Sequence, residues 1–237
     1  RSELDLFDFA AVDAFVKKTR PDFIIHCAGR VGGIQANMAH PVEFLVENTD
    51  IGRNVIMAAM KNEVPRLFNL ASSCVYPRNA ENPLRETQIL QGELEPTNEG
   101  YALGKIFALR LCQYISRTKP SLKYKTLIPC NLYGRFDKFD PKASHLVPAI
   151  IRKIHEAKVA GAPSVEIWGD GTARREFLLA SDLTDQLMKA LNCFDEVPEL
   201  MNVGVGRDYS IKEYYEVCKR VIGYQGDFTF DLSKPAG

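Results

Sequence analysis

Short apolar runs alternate with longer helical patterns through the first half of the chain, and this alternation constrains the fold more than any other feature. The runs Phe23–Ala28, Arg66–Ala71 and Lys125–Pro129 have the length and composition of buried strands. Segments with helical spacing separate them, over 41–61 and 101–119. Strands that alternate with helices in this way form parallel β-α-β units. The sequence therefore predicts an α/β fold with a Rossmann-like, doubly wound parallel sheet.

The second half of the chain has a more mixed pattern. Three further helical segments follow one another, with short strand patterns between them. Ser181 is expected to cap the N-terminus of the second, and Ser210 with Glu213 is expected to form a capping box at the start of the third. We predict a first domain over 1–134 and a smaller lobe over 135–237, with some segments of the lobe returning to the first domain.

Charge and composition argue against several classes of protein. The 237 residues include 30 Lys and Arg and 30 Asp and Glu, a net charge of zero, which argues against a broad basic surface for nucleic acid. The apolar stretches fall short of the roughly 20 residues that a bilayer crossing needs. The six cysteines form no C-x-x-C pair, which is typical of a reduced, cytoplasmic protein without a disulfide framework or a metal site. We expect no nucleic-acid partner and no membrane partner.

A doubly wound sheet usually opens with a Gly-rich turn that binds a phosphate. Residues Gly29–Gly33 contain glycines but lack the G-x-G-x-x-G order. The sequence begins at Arg1 without a leader and stops at Gly237 soon after a strand-like run. We expect it to be an internal piece of a longer protein, with the phosphate-binding turn before Arg1 and with both domains incomplete.

The strongest chemical signal is Tyr101 with Lys105, preceded by Ser72 and Ser73 at the end of a strand. Residues i and i+4 share a helix face, so the Lys105 ammonium is expected beside the Tyr101 phenol. A nearby cation would lower the pKa of the phenol from its ordinary value of ~10. A serine hydroxyl at the strand end could bind the substrate oxygen that the tyrosine protonates. A Y-x-x-x-K pair alone is common by chance. It indicates a catalytic site here because it occurs together with the upstream serines and the β-α-β pattern.

These residues are shared with a known family. The chain resembles the extended short-chain dehydrogenase/reductase superfamily and, within it, the GDP-L-fucose synthases. Tyr101 and Lys105 belong to the superfamily at large, whereas Ser72–Cys74 and Leu90–Glu99 are specific to the synthases. The matching stretches follow the order of the family: Val31–Ile34 with Asn37, Ser72–Pro77, Leu90–Glu99, Tyr101–Lys105, Asn131–Gly134, Ser144–Pro148, Trp168–Thr172 and Arg175–Phe177.

The resemblance implies a two-stage reaction on GDP-4-keto-6-deoxy-D-mannose. Epimerisation at C3 and C5 through an enolate is followed by NADPH-dependent reduction of the C4 ketone, which gives GDP-L-fucose. The resemblance makes Cys74 the base and His145 the acid, and their ordinary pKa values of ~8.5 and ~6.5 suit proton exchange near neutrality. It places Ser72 and Tyr101 at the C4 oxygen. The resemblance further implies that Lys105 adjusts the pKa of Tyr101 and binds the nicotinamide ribose.

The resemblance also divides the binding of the two ligands between the domains. It places NADP(H) on 1–134 and the sugar nucleotide on 135–237. Cofactor contacts are implied for Leu70, Ala71, Ser72, Ser73, Lys105, Pro129, Cys130, Asn131, Leu132 and His145. Lys153, Trp168 and Arg175 resemble contacts to the guanine and the pyrophosphate. The ordinary alternatives are a core cysteine, a helix-capping histidine, a turn-capping asparagine, a core tryptophan and a solvated arginine.

Several alternatives stay open. A 4-epimerase or 4,6-dehydratase of the same superfamily is the nearest, although the dehydratases carry an acidic pair where this chain has Ser73 and Cys74. A non-catalytic dinucleotide-binding protein would not need the whole set of catalytic residues. The apolar helices over 41–61 and 101–119 form a homodimer interface in the resembled family, or they are simply buried against the sheet. Ala236 replaces an aspartate that is frequent in the family, which puts one substrate contact in doubt.

Overall fold

The computed structural model describes residues 3–140 and 144–234. The helices are α1 (Phe9–Thr19), α2 (Ile34–Ala39), α3 (Pro41–Lys61), α4 (Glu99–Thr118), α5 (Leu146–Ala160), α6 (Ala180–Asn192) and α7 (Ile211–Ile222). The strands are β1 (Phe23–His26), β2 (Arg66–Leu70), β3 (Lys123–Pro129), β4 (Asn131–Tyr133), β5 (Ser164–Trp168), β6 (Arg174–Arg175), β7 (Phe177–Leu179), β8 (Leu200–Val203), β9 (Tyr209–Ser210) and β10 (Asp227–Asp231).

A parallel four-stranded sheet forms the centre of the first part of the chain. Its strands lie in the order β1, β2, β3, β8, and every neighbouring pair is parallel. The register places His26 beside Asn69 and Asn69 beside Thr126. Parallel strands of this kind end at a common carboxyl edge, where ligands of open α/β sheets bind. The predicted Rossmann-like α/β fold is confirmed.

Helices α1, α3 and α4 pack together over this sheet. Their shared core includes the buried side chains of Val12, Ile56, Leu67, Cys112 and Tyr124. Burying an apolar side chain of this size stabilises the fold by about 1.5–3 kcal/mol. Two consecutive helices are therefore held firmly against the sheet and against each other, and the predicted catalytic pair lies on the second of them.

The predicted helix ends agree with the structure at most positions. Helix α3 begins with Pro41 in its first turn and ends at Lys61, as expected. The capping box is confirmed, because Ser210 Oγ accepts from the Glu213 N–H at 3.2 Å and the Glu213 carboxylate accepts from the Ser210 N–H at 2.7 Å. The prediction that Ser181 is an N-cap is wrong. Helix α6 begins at Ala180, directly after β7, so Ser181 already lies in the helix.

The chain forms two compact units. The first comprises Arg1–Cys130 and Thr184–Val203, and the second comprises Asn131–Leu183 and Gly204–Gly237. In the second unit, α5 and α7 pack around Ile154, Ile167 and Tyr215 beneath the parallel pair β5–β10. Two further strand pairs belong to this unit, the parallel β4–β7 and the antiparallel β6–β9. The functional division into a cofactor domain over 1–134 and a sugar-nucleotide lobe over 135–237 remains a prediction.

Within residues 3–140 and 144–234, no helix is both long enough and apolar enough to span a membrane.

Candidate functional site

The tyrosine and lysine of the Y-x-x-x-K pattern are neighbours on α4. The Nζ atom of Lys105 lies 5.7 Å from the centre of the Tyr101 ring. The same ammonium group donates a 3.0 Å hydrogen bond to the backbone carbonyl of Leu70, the last residue of β2. Lys105 is only 7 % exposed, so this bond satisfies a cation that burial would otherwise disfavour. The predicted closeness of the pair is confirmed.

Ser72 and Cys74 follow β2 on a short 3-10 turn. Ser72 has an extended backbone, and Ser73–Val75 then forms the turn, whose Tyr76 N–H donates to the Ser73 carbonyl. The side chain of Ser72 interacts with both Cys74 and Tyr101 and lowers the pKa of each. The turn thus brings a hydroxyl, a thiol and a phenol together at the carboxyl end of β2, beside the Lys105 ammonium.

The segment after this turn is tied to β8. The Tyr76 hydroxyl donates a 2.5 Å hydrogen bond to Asn202 Oδ1. The Asn202 backbone N–H donates to Glu86 Oε1 at 2.7 Å, and its Nδ2 donates to the Leu84 carbonyl at 3.0 Å. Because these bonds reach across the sheet edge, they limit the freedom of the turn that carries Cys74.

The pKa of Tyr101 departs from the sequence-based expectation. The sequence predicted a pKa lowered by Lys105, but burial raises the pKa of Tyr101 above its ordinary value, and the nearby Cys74 raises it further. The hydrogen bond with Ser72 opposes this shift. The phenol is therefore fully protonated at neutral pH, which suits a proton donor.

The pKa of Cys74 also differs from the expected value near neutrality. Burial raises the pKa of the Cys74 thiol to about 11, although the hydrogen bond with Ser72 and the charge of Lys105 lower it. The thiol thus holds its proton in this structure. A base at this position needs help from the bound substrate or from its neighbours to lose that proton.

Sequence reasoning missed Asn48 of α3, which holds the loop after β1 near Lys105. Its Oδ1 accepts from the Arg30 N–H at 3.0 Å, and its Nδ2 donates to the Arg30 carbonyl at 3.1 Å. A methyl group at Gly29 would lie 2.8 Å from Asn48 Oδ1 and 3.4 Å from Lys105 Nζ. Asn48 is 4 % exposed, and an asparagine in an otherwise apolar helical stripe is the signal that could have revealed it.

The second unit brings together two of the residues that resemble substrate contacts. The Nζ atom of Lys153, on α5, lies 5.1 Å from the centre of the Trp168 ring at the end of β5. Glu166 accepts from both, through its carboxylate from Trp168 Nε1 at 3.1 Å and through its backbone carbonyl from Lys153 Nζ at 3.4 Å. The indole is 37 % exposed, so the tryptophan is not the core residue that the ordinary alternative assumes.

Arg175, His145 and Asn131 are the remaining predicted site residues of the second unit, and each has a defined position in the structure. Arg175 Nη1 donates to the Arg174 carbonyl at 2.8 Å, and the Tyr214 hydroxyl donates to the Arg175 carbonyl at 2.9 Å. His145 is the N-cap residue of α5, without a side-chain capping bond. Asn131 Nδ2 donates to the Glu176 carbonyl at 3.1 Å, which links β4 to the segment before β7. Ala236 lies outside the described residues.

Comparison with known proteins identifies the family of the chain. Residues 1–204 match the NAD dependent epimerase/dehydratase family. The chain belongs to this family.

The curated relatives include a GDP-L-colitose synthase from Yersinia pseudotuberculosis, 52 % identical over 99 % of this chain and 76 % of the relative. A GDP-L-fucose synthase from Azorhizobium caulinodans is also 52 % identical, over 99 % of this chain and 75 % of the relative. Among solved structures, a GDP-mannoheptose C4 reductase from Campylobacter jejuni with NADP bound is 32 % identical and has a TM-score of 0.87. The match covers 98 % of this chain and 78 % of that chain. The resemblance to the GDP-L-fucose synthases is thereby confirmed.

As a member of the NAD dependent epimerase/dehydratase family, the chain uses a nicotinamide dinucleotide. The residues of the first unit fit such a cofactor. The carboxyl edge of the parallel sheet carries a buried ammonium group on Lys105. Beside it lies Gly29, where any side chain would collide with Asn48. The predicted contacts Leu70, Ala71, Ser72, Ser73, Pro129 and Cys130 lie at the ends of β2 and β3 or directly after them. Their contacts to the cofactor stay predictions, as do those of Asn131, Leu132 and His145 in the second unit.

Proposed function

We propose that this chain converts GDP-4-keto-6-deoxy-D-mannose to GDP-L-fucose, by epimerisation at C3 and C5 followed by reduction of the C4 ketone with NADPH. The observation that carries the proposal is the grouping of Ser72, Cys74, Tyr101 and Lys105 at one strand end. The 52 % identity to a GDP-L-fucose synthase supports it independently. The 4,6-dehydratases of the superfamily carry an acidic pair where this chain has Ser73 and Cys74, which argues against that alternative.

Cys74 and His145 carry out the epimerisation in this proposal. A proton on a carbon beside the C4 ketone is acidic because the resulting charge moves to the C4 oxygen as an enolate. Cys74 removes the proton from one face of the sugar, and His145 returns one to the other face. The Ser72 hydroxyl and the Tyr101 phenol donate hydrogen bonds to the enolate oxygen, which lowers the energy of this intermediate.

Tyr101 supplies the proton for the reduction. Bound NADPH provides the hydride that C4 receives. As C4 changes from a ketone to an alcohol, its oxygen gains negative charge and takes the phenolic proton of Tyr101. The raised pKa of Tyr101 supports this role, because the group begins as a phenol at neutral pH. Lys105 stabilises the phenolate that remains and binds the nicotinamide ribose.

The nucleotide part of the substrate binds to the second unit in this proposal. The exposed face of Trp168 stacks on the guanine, with Lys153 beside it as the cation nearest the indole. Lys153 and Arg175 pair with the pyrophosphate oxygens, for which a guanidinium offers two parallel donors. A neutral chain can hold a pyrophosphate with a few placed cations and needs no broad basic surface.

A second candidate is the corresponding reaction that yields GDP-L-colitose. The observation in its favour is the equal identity, 52 %, to a GDP-L-colitose synthase. The two candidates are distinguished by supplying each GDP-4-keto precursor separately. Mass spectrometry then identifies the GDP-sugar that forms.

The protein is cytoplasmic and acts as a homodimer in this proposal, with α3 and α4 at the interface. Val42 and Val46 are 67 % and 48 % exposed on α3, one turn apart. On α4, Leu103 and Phe107 are 38 % and 39 % exposed, and Tyr114 continues their stripe with 60 % exposure. A second copy of the same helix pair would bury these side chains. Light scattering of the wild type and of Phe107→Glu tests this, since the variant should be monomeric.

The function is tested with the protein, NADPH and GDP-4-keto-6-deoxy-D-mannose. Nicotinamide oxidation should accompany formation of GDP-L-fucose. Oxidation that remains at the background rate with this substrate would exclude the function.

A further inference from the structure

Phe44 of α3 lies between the catalytic tyrosine and the loop that follows β1. Its ring centre is 6.4 Å from that of Tyr101, and the planes meet at 81°, an edge-to-face arrangement. Arg30 stacks on the same ring at 5.2 Å. A methyl group at Gly32 would lie 3.1 Å from Phe44 Cζ. Phe44 is only 2 % exposed, so one buried ring contacts both Tyr101 and the loop that follows β1.

The packing of α3 against α4 fixes this position. A methyl group at Gly100 would lie 2.7 Å from the Pro41 carbonyl oxygen, and one at Gly104 would lie 2.9 Å from Asn48 Cβ. These glycines directly precede Tyr101 and Lys105. They let the two helices approach closely, which seats the Phe44 ring against Tyr101.

The loop side of Phe44 is equally constrained. The Arg30 guanidinium pairs with Glu47 at 2.5 Å, and the Arg30 backbone is bound at both N–H and carbonyl by Asn48. Asn48 also donates to the Phe44 carbonyl at 2.7 Å. The ring therefore cannot move without disturbing bonds on the loop and on its own helix.

We propose that Phe44 is a positioning residue that sets the orientation of the Tyr101 ring for proton transfer to the C4 oxygen. The edge-to-face contact restricts the tilt of the phenol, while Lys105 lies beside its ring. The inference rests on the proposed function, because it assigns Phe44 to the reduction stage alone. Proton exchange at C3 and C5 uses Cys74 and His145, and Ser72 also binds the enolate oxygen, so the exchange depends less on the tilt of the phenol than the proton transfer to C4 does.

The test compares two rates in the NADPH-bound enzyme with GDP-4-keto-6-deoxy-D-mannose. One is kcat for NADPH oxidation, and the other is the exchange of deuterium from solvent into C3 and C5. In Phe44→Met, we expect the reduction rate to fall about tenfold or more, because small displacements of a reacting group have large rate effects. The exchange rate should fall much less than the reduction rate, because Ser72 still binds the enolate oxygen, and the KM for the sugar nucleotide should stay near that of the wild type.

Phe194→Met is the matched control. Phe194 is also buried, packs on Phe68 at 4.8 Å, and has Lys125 over its ring at 4.7 Å. The Phe194→Met variant therefore loses an aromatic contact and a cation–π contact, and neither contact involves Tyr101. Its ratio of reduction to exchange should equal that of the wild type, even at the same loss of thermal stability.

A multiply fluorinated phenylalanine at position 44 keeps the ring volume and weakens the edge-to-face contact, so it remains informative if Phe44→Met does not fold. The ratio of reduction to exchange should fall in this variant too. An unchanged ratio in the fluorinated variant, or equal losses of both rates in Phe44→Met, would overturn the role of Phe44. A wild type that forms no GDP-L-fucose would instead overturn the proposed function.

Discussion

The ammonium group of Lys105 lies 5.7 Å from the centre of the Tyr101 ring and is anchored by a 3.0 Å hydrogen bond to the Leu70 carbonyl. The lysine thus connects helix α4 to the end of β2. Burial lowers the pKa of Lys105, whereas Cys74 and Cys27 raise it. A cation held in this way can stabilise a phenolate on Tyr101 during reduction.

Replacement of Lys105 by methionine should abolish most of the reduction. Methionine keeps much of the side-chain length but removes the charge, so the phenolate loses its stabilising cation. We expect kcat for NADPH oxidation to fall about a hundredfold or more, within the usual range for acid–base catalysis. Lys125→Met is a matched control, because Lys125 is a buried lysine whose ammonium donates to the Phe194 and Val197 carbonyls. An equal loss of activity in both variants would show that Lys105 acts only through stability.

Replacement of Tyr101 by phenylalanine should separate the two stages of the reaction. The variant lacks the proton donor, so reduction should fall about a hundredfold or more. Some deuterium exchange at C3 and C5 should remain, since Cys74 and His145 are intact. Tyr124→Phe is the control, because Tyr124 is also a buried phenol, bonded to the Val64 carbonyl at 3.1 Å. Full reduction by Tyr101→Phe would exclude Tyr101 as the proton donor.

Replacement of Cys74 by serine should stop the exchange of deuterium from solvent into C3 and C5. A serine hydroxyl is a much weaker acid than a thiol, so its alkoxide is not available as a base. NMR of the recovered sugar nucleotide measures the exchange, and Cys112→Ser serves as a control at a buried cysteine away from Ser72. Exchange at the wild-type rate in Cys74→Ser would remove Cys74 from the mechanism.

His26, at the end of β1, should make the fold less stable in acid. Burial lowers the pKa of His26 from 6.5 to about 4, and the charge of Lys105 contributes to the same shift. Because the folded pKa lies below the unfolded value, the stability from neutral His26 is present above pH 6.5 and is lost as the pH falls toward 4. From these two values we expect the contribution of His26 to fall by about 2 kcal/mol between about pH 7.5 and pH 5.

Urea unfolding of the wild type and of His26→Gln measures this loss. The difference between their unfolding free energies should shrink by that amount on acidification. A difference that does not depend on pH would mean that His26 titrates with an ordinary pKa.

The sequence predicted features that depend on local patterns. The central strands and α3 follow from runs of apolar residues and from helical spacing, and the closeness of Tyr101 and Lys105 follows from their i,i+4 separation. Strands β6 and β9 have only two residues each, which is too short for any period to be visible. Ser181 failed as a cap because β7 runs directly into α6, with no residue left between them to serve as a cap.

The features that the sequence did not predict depend on packing between distant segments. The pKa of Tyr101 moved in the opposite direction because burial and the nearby Cys74 raise it, and burial of a single phenol cannot be read from a helix pattern. Phe44 contacts Tyr101 only because glycines on α4 let α3 approach. In the sequence, Phe44 is one apolar residue of an amphipathic helix.

The most direct test of the account is one turnover experiment in deuterated water with unlabelled NADPH and GDP-4-keto-6-deoxy-D-mannose. The GDP-L-fucose formed should carry deuterium at C3 and C5, from the two epimerisation steps, and ordinary hydrogen at C4, from the nicotinamide. NMR of the purified product assigns each position. A product without deuterium at C3 and C5, or the absence of GDP-L-fucose, would contradict the account.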